Sequence, residues 1–129
     1  MKYAVFTVSM PDYTPEEAVR KIKDVGYDGV EWRVQDDNPD ASNRSFWQGN
    51  KATLPLTGFE NDAPTWRRMT EDAGLEMPGI ATYVKCHEPD KAERAMKGAA
   101  ALGAPALRIQ VPNYDGSESY AALWDKSRQ

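Results

Sequence analysis

Val25-Gly26-Tyr27-Asp28-Gly29-Val30 closes one amphipathic stretch and opens an apolar one, and the same junction returns at Ala73-Gly74-Leu75-Glu76-Met77-Pro78 and Leu102-Gly103-Ala104-Pro105-Ala106-Leu107. Glycine fills the left-handed position that commonly ends a helix, so three such ends before three apolar runs predict a repeating βα layout. That alternation implies an α/β protein with a parallel sheet covered by helices. After the fourth apolar run, Ala106 to Val111, only a short helix start precedes Gln129, and the repeat reads as half of a larger arrangement.

Working outward, Tyr3 to Val8 is a near-continuous apolar run that suits a first strand buried on both faces. Thr14-Pro15-Glu16-Glu17 combines an N-cap, a first-turn proline and a capping-box glutamate, and a helix from there carries Ala18, Val19, Ile22 and Val25 on one stripe. Asp28 to Arg33 forms the second strand. The segment from Val34 to about Asn61 is far longer than an ordinary βα loop, and it reads either as an ordered lid over a pocket or as a surface excursion anchored by Phe46, Trp47, Leu54, Leu56 and Phe59. A second helix is expected near Asp62, with Pro64 in its first turn and Trp66, Met69 and Ala73 inward. The third strand is expected over Met77 to Thr82, weakened at Pro78. Asp90, with Glu93 three residues on, is expected to cap a third helix that turns Ala95, Met96, Ala99 and Leu102 to the sheet. The last helix begins near Ser117, with Tyr120, Leu123 and Trp124 as its apolar side. The whole of 1–129 is expected to form a single domain.

A chain of 129 residues with 40% apolar content is long enough to bury one core. Its net charge of -4, with basic residues scattered among acids, offers no basic face for nucleic acid. Neither a signal segment nor a long apolar stretch is evident, and the single Cys86 has no second cysteine to pair with, so the expectation is no membrane association and a reducing, cytoplasmic setting. Cys86 and His87 invite a metal or nucleophile reading. No other Cys or His exists to complete a ligand set, and a polar loop is the reading adopted.

Reactive groups of parallel α/β sheets gather at the carboxyl ends of the strands, which marks Ser9, Met10, Glu31 to Arg33, Thr82, Tyr83 and Gln110 to Asn113. A carboxylate in a strand as apolar as that of Glu31 is expected either to reach a functional cavity or to pair with Arg33 or Arg108. Arg108 and Gln110 share a face by strand periodicity. Trp32 and Trp47 are candidates for stacking on a sugar ring, with core packing as the alternative. No phosphate-binding glycine loop follows the first strand, and the sole histidine has no serine elbow to serve.

Together, Tyr3-Ala-Val-Phe-Thr-Val8, Gly26-Tyr27-Asp28-Gly29-Val30-Glu31-Trp32, Gly74-Leu75-Glu76 and Gly103-Ala104-Pro105-Ala106-Leu107-Arg108 resemble the sugar phosphate isomerase/epimerase group of the xylose isomerase-like TIM-barrel superfamily. The resemblance spans nearly the whole chain but only the first half of a typical member, and it implies a parallel (βα)4 half of a TIM (β/α)8 barrel with a long loop after strand two. Members hold a divalent metal (Mn, Mg, Co or Zn) at the barrel mouth and move a proton between adjacent carbons of a sugar or sugar phosphate. Their metal ligands and acid-base glutamates lie on strands five to eight. For this chain the resemblance therefore implies no catalytic residue and no metal or cofactor of its own. It implies a substrate-side wall of Glu31, Trp32, Arg33, Tyr83 and Gln110, to which Trp47 is added from the loop. Open sheet edges along strands one and four, and a barrel-facing surface expected to be apolar, predict a homo-oligomer.

Overall fold

The computed structural model describes residues 1–38 and 42–128. The elements run β1 (Ala4–Phe6), a 3-10 turn (Thr7–Ser9), α1 (Pro15–Val25), β2 (Gly29–Val34), β3 (Thr53–Leu54), α2 (Phe59–Asp72), β4 (Ile80–Lys85), α3 (Pro89–Leu102), β5 (Leu107–Gln110) and α4 (Tyr120–Arg128). Every pairing is parallel, in the order β1-β2-β4-β5, with β3 also on β2. This is the α/β half-barrel that the sequence implies. Among the described residues no helix is long and apolar enough to cross a membrane.

The three glycine junctions act as expected, because Gly26, Gly74 and Gly103 all take positive φ at or just past a helix end. Thr14 caps α1 with the reciprocal Glu17 bond. Several boundaries differ, for local reasons. β1 is only three residues long, since the chain turns into a 3-10 helix at Thr7, whose hydroxyl accepts from the Arg33 N–H. α2 starts at Phe59 behind a left-handed Gly58, so Pro64 lies inside the helix rather than in its first turn. β4 begins three residues later than expected, at Ile80, beyond Pro78, which has no N–H for a ladder. Glu88 rather than Asp90 occupies the N-cap position of α3, without a side-chain cap bond, and α4 starts at Tyr120 rather than Ser117.

One core lies between the sheet and the helices. Val30, Trp32, Val34, Ile80 and Val84 meet Ala18, Val19, Ile22, Phe59, Ala63, Ala95, Ala99 and Leu102 there. Phe59 stacks on Trp66 and lies over Gly98 of α3, where an added Cβ would fall 1.9 Å from the Phe59 ring. Gly98 is thus the notch through which α2 and α3 approach. Four residues expected inward are exposed: Val25, Met96, Tyr120 and Trp124.

The segment after β2 is ordered where it is described. Its two-residue strand β3 pairs with Arg33 and Val34 of β2, past the point where β1 has ended beside Gly29 to Glu31. β3 therefore takes over the place of β1 along the upper part of β2. Leu54, Leu56 and Phe59 anchor it in the core, while Phe46 and Trp47 stay exposed. Part of the expected loop, 39–41, lies outside the described residues.

Candidate functional site on the inner wall

Side chains alternate across a strand, so the residues between the core positions point to the concave face. On β2 these are Glu31 and Arg33, on β4 Ala81, Tyr83 and Lys85, and on β5 Arg108 and Gln110. Backbone register places Arg33 opposite Ala81 and Ala81 opposite Arg108. Two arginines thus flank an alanine, and the space above that small side chain is taken by the Tyr83 ring. Each guanidinium carbon lies 5.2 Å from the ring centroid, and Arg108 also lies 5.6 Å from the Phe6 centroid. The inner face is polar and charged, not the apolar surface expected.

Arg33 is 1% exposed. Its Nη1 donates to Asp37 at 2.8 Å and to the Thr53 hydroxyl, and its Nη2 donates to Gln35 at 3.2 Å and to the Trp47 carbonyl at 3.0 Å. Burial opposes ionisation of Asp37, but the Gly49 N–H, the Arg33 guanidinium and the Asn38 N–H outweigh it and hold the carboxyl below its usual range. Asn50, also buried, donates to the carbonyls of Val8 and Phe46. Arg33 and Asn50 therefore rivet the long loop to the barrel mouth. Trp47 meets the Tyr83 ring edge-on at 6.4 Å between centroids.

Glu31 is half-buried, and among the described residues its carboxylate forms no hydrogen bond or ion pair. It lines a cavity of about 500 Å³ with Arg108, between Gly79 and Ile80 on one side and Ala106 and Leu107 on the other. The expected alternative, an internal pair with Arg33 or Arg108, does not form: Arg33 is taken by Asp37, and Arg108 is held by aromatic rings and a 3.4 Å bond to the Thr82 carbonyl. The Gln110 side chain accepts from Lys85 Nζ at 2.8 Å, and Asn113 accepts from the same ammonium at 2.8 Å.

Of the expected wall residues, contacts join Arg33, Tyr83 and, from the loop, Trp47, while Glu31 shares its cavity with Arg108 and Gln110 is bonded to Lys85. The wall does not include Trp32. That indole is fully buried on the helix side and donates to the Thr70 hydroxyl at 3.3 Å, because its position in β2 has the parity of Val30 and Val34. Sequence reasoning passed over Lys85, Phe6 and the anchors Asp37 and Asn50. Lys85 was within reach of it: the parity of Ala81 and Tyr83 extends to Lys85 once the strand is allowed to run past Thr82.

Among the described residues no three of His, Cys, Asp and Glu converge as a metal would require. Glu31 alone, beside Arg108, does not fit a divalent cation.

No protein-family model matches the chain, and no curated protein matches its sequence. Among solved structures it is similar to a xylose isomerase domain-containing protein from Salmonella typhimurium, with a TM-score of 0.59 and 20% identity. The match takes in 95% of this chain and 40% of that one. At such identity the likeness is one of fold: the chain has the fold of part of a xylose isomerase-like barrel.

Proposed function

We propose that the chain forms the substrate-side wall of a sugar or sugar phosphate isomerase or epimerase barrel, whose metal and acid-base groups come from strands other than those described. The observation that carries this reading is Glu31, an unpaired carboxylate facing the same open cavity as an arginine. A ring of hydroxyls and a carbonyl needs both acceptors and fixed donors: Glu31 accepts from hydroxyls, Arg108 and Gln110 donate, and Tyr83 and Trp47 give apolar faces for the ring carbons. The divalent metal, where a complete barrel holds one, supplies polarisation of the carbonyl. The free thiol of Cys86 supports a cytoplasmic setting.

Titrating the chain with ketoses and aldoses while following backbone and Trp indole amide resonances tests this. Shifts confined to the residues around Glu31, Trp47, Tyr83 and Arg108, and lost in Glu31→Ala, are expected. Shifts elsewhere would remove the wall from the argument. Tight stoichiometric Mn(II) binding with sugar interconversion by the chain alone would show that the catalytic groups are here after all.

A second reading, a half-barrel that associates with its own copy, draws on the β5 end of the sheet. There Val111, Tyr114, Tyr120 and Trp124 are all exposed, Tyr120 stacks on Trp124 and meets Tyr114 edge-on, and β5 is the last strand of the sheet among the described residues.

A further inference from the structure

Glu31 and Arg108 carry opposite charges and line one cavity of about 500 Å³, yet no ion pair joins them. The register that sets Trp32 beside Ile80 and Ile80 beside Leu107 puts Glu31 level with Gly79 and Ala106, with Arg108 two positions farther along β5. Their backbones stand two strand spacings apart, about 10 Å, and Gly79 brings no side chain into the gap between them. Arg108 does not close on the carboxylate, because the Phe6 and Tyr83 rings hold its guanidinium and its Nε donates to the Thr82 carbonyl at 3.4 Å. Phe6 is itself the β1 register partner of Glu31, so the guanidinium is brought toward the carboxylate without meeting it. Both terminal nitrogens of Arg108 and both carboxylate oxygens of Glu31 are left without a partner among the described residues. The lining comes from the first residues of β4 and β5, which sets this cavity deeper than the strand ends where Lys85 and Gln110 stand.

We propose that this cavity binds a small zwitterion of the α-amino acid pattern, with its ammonium group against Glu31 and its carboxylate against Arg108. Two opposite charges held beside one space but apart form a fixed dipole, and a ligand that carries both charges completes it from each end without rearranging the wall. Aromatic stacking leaves the edge of a guanidinium free, and that edge matches the two oxygens of a carboxylate. A half-buried carboxylate that accepts nothing from its own chain gains most from a charged N–H donor. A ligand with a single charge suits the cavity less well, since an anion on Arg108 also faces Glu31 and a cation on Glu31 also faces Arg108. The inference shares its cavity with the sugar reading but stands on the two charges, so either can fail without the other.

Calorimetric titration of the chain with four compounds of one carbon chain tests it: glucosaminate, which has both charges, gluconate with the carboxylate alone, glucosaminitol with the ammonium alone, and glucitol with neither. Glucosaminate is expected to bind at one saturable site, about tenfold more tightly than gluconate or glucosaminitol, each of which lacks one charge-assisted contact. Glu31→Gln should erase the preference over gluconate, and Arg108→Gln the preference over glucosaminitol. Arg20→Gln, which removes an exposed cation on α1, should leave both preferences in place. Neither Glu31 nor Arg108 is fully buried, and a melting curve for each variant checks that it is folded. No saturable binding of glucosaminate overturns the proposal, as does equally tight binding of gluconate or glucosaminitol. Preferences that survive in Glu31→Gln and Arg108→Gln, or that are lost equally in Arg20→Gln, place the ligand elsewhere and also overturn it. A response to neutral ketoses or aldoses with no gain from either charge would sink the zwitterion and leave the sugar wall standing; glucosaminate binding without any sugar response would do the reverse.

Discussion

Along β2 the side chains of Val30, Trp32 and Val34 enter the helix layer and are fully buried, whereas Glu31 and Arg33 between them face the concave side with a free carboxylate and a four-bonded guanidinium. The same alternation divides Ile80 and Val84 from Tyr83 and Lys85 on β4, and Leu107 and Ile109 from Arg108 and Gln110 on β5. The helix side is held by burial, which acts without direction and scales with apolar area. The inner side is held by directed contacts and leaves several of its polar groups unspent. One face therefore carries stability and the other retains the freedom to bind, so substitutions should separate cleanly by parity along each strand.

The largest effect is expected at Trp32. Trp32→Ala should lower unfolding stability by about 3–5 kcal/mol, from lost burial, an opened cavity and the loss of one of the two bonds of the Thr70 hydroxyl, which still donates to the Trp66 carbonyl. Chemical denaturation measures it, and a loss below 1 kcal/mol would mean that the indole is not the core residue its burial indicates.

Arg33 tests the boundary between the two faces, since it is an inner-wall residue sealed under the loop. Arg33→Met should cost about 2–3 kcal/mol, less than the ~3–5 of a fully buried pair because Asp37 keeps some contact with water. Protease cleavage within residues 42–52 should accelerate in the same variant. The depressed pKa of Asp37 sets the accompanying pH dependence. Its contribution is complete above the ordinary Asp value of about 4 and is lost as pH falls below that toward the folded-state value. Asp37→Asn should remove that part of the acid sensitivity, and an unchanged acid limb would show that the clamp does not depend on the carboxylate.

Gly98 comes next. Alanine there gains up to about 1 kcal/mol of helix propensity yet places a methyl inside the Phe59 ring, and overpacking of that kind costs about 1–3 kcal/mol. Net destabilisation is expected by thermal melting. The pair Gly98→Ala with Phe59→Leu should recover part of it, which an unrelated helix defect would not.

Much of this division was readable beforehand, through particular residues. The glycines at 26, 74 and 103, the Thr14 cap and strand alternation at Arg108 and Gln110 are local signals, and local signals fixed the βα order and the shared face. Glu31 was marked as a charge needing either a cavity or a partner, and the cavity is what the structure provides. Trp32 was misplaced because a strand end attracts functional readings, although its parity with Val30 and Val34 pointed to the core. β3 left no usable trace: two residues, Thr53 and Leu54, are too few to show a period, and their pairing depends on β1 stopping at Phe6. The barrel-facing surface was expected to be apolar. Its polarity follows from Arg33, Lys85 and Arg108 being counted on one surface, which needs the β4 and β5 register.

The smallest stability effect is expected at Glu31, and it is the one that most sharpens the contrast between the faces. A half-buried carboxylate with no partner contributes no attraction to lose, so Glu31→Gln should change unfolding stability by no more than about 0.5 kcal/mol in either direction. Its neighbours in sequence, Val30 and Trp32, are both fully buried. A loss above about 2 kcal/mol would require a hidden ion pair of the kind that is costly to break. In that event Glu31 would belong with Arg33 to a structural polar layer, and the cavity it shares with Arg108 would lose its acceptor. A near-zero change together with weakened sugar binding keeps the carboxylate on the binding face, because a residue that matters to a ligand and not to folding is what the parity of β2 assigns to that position.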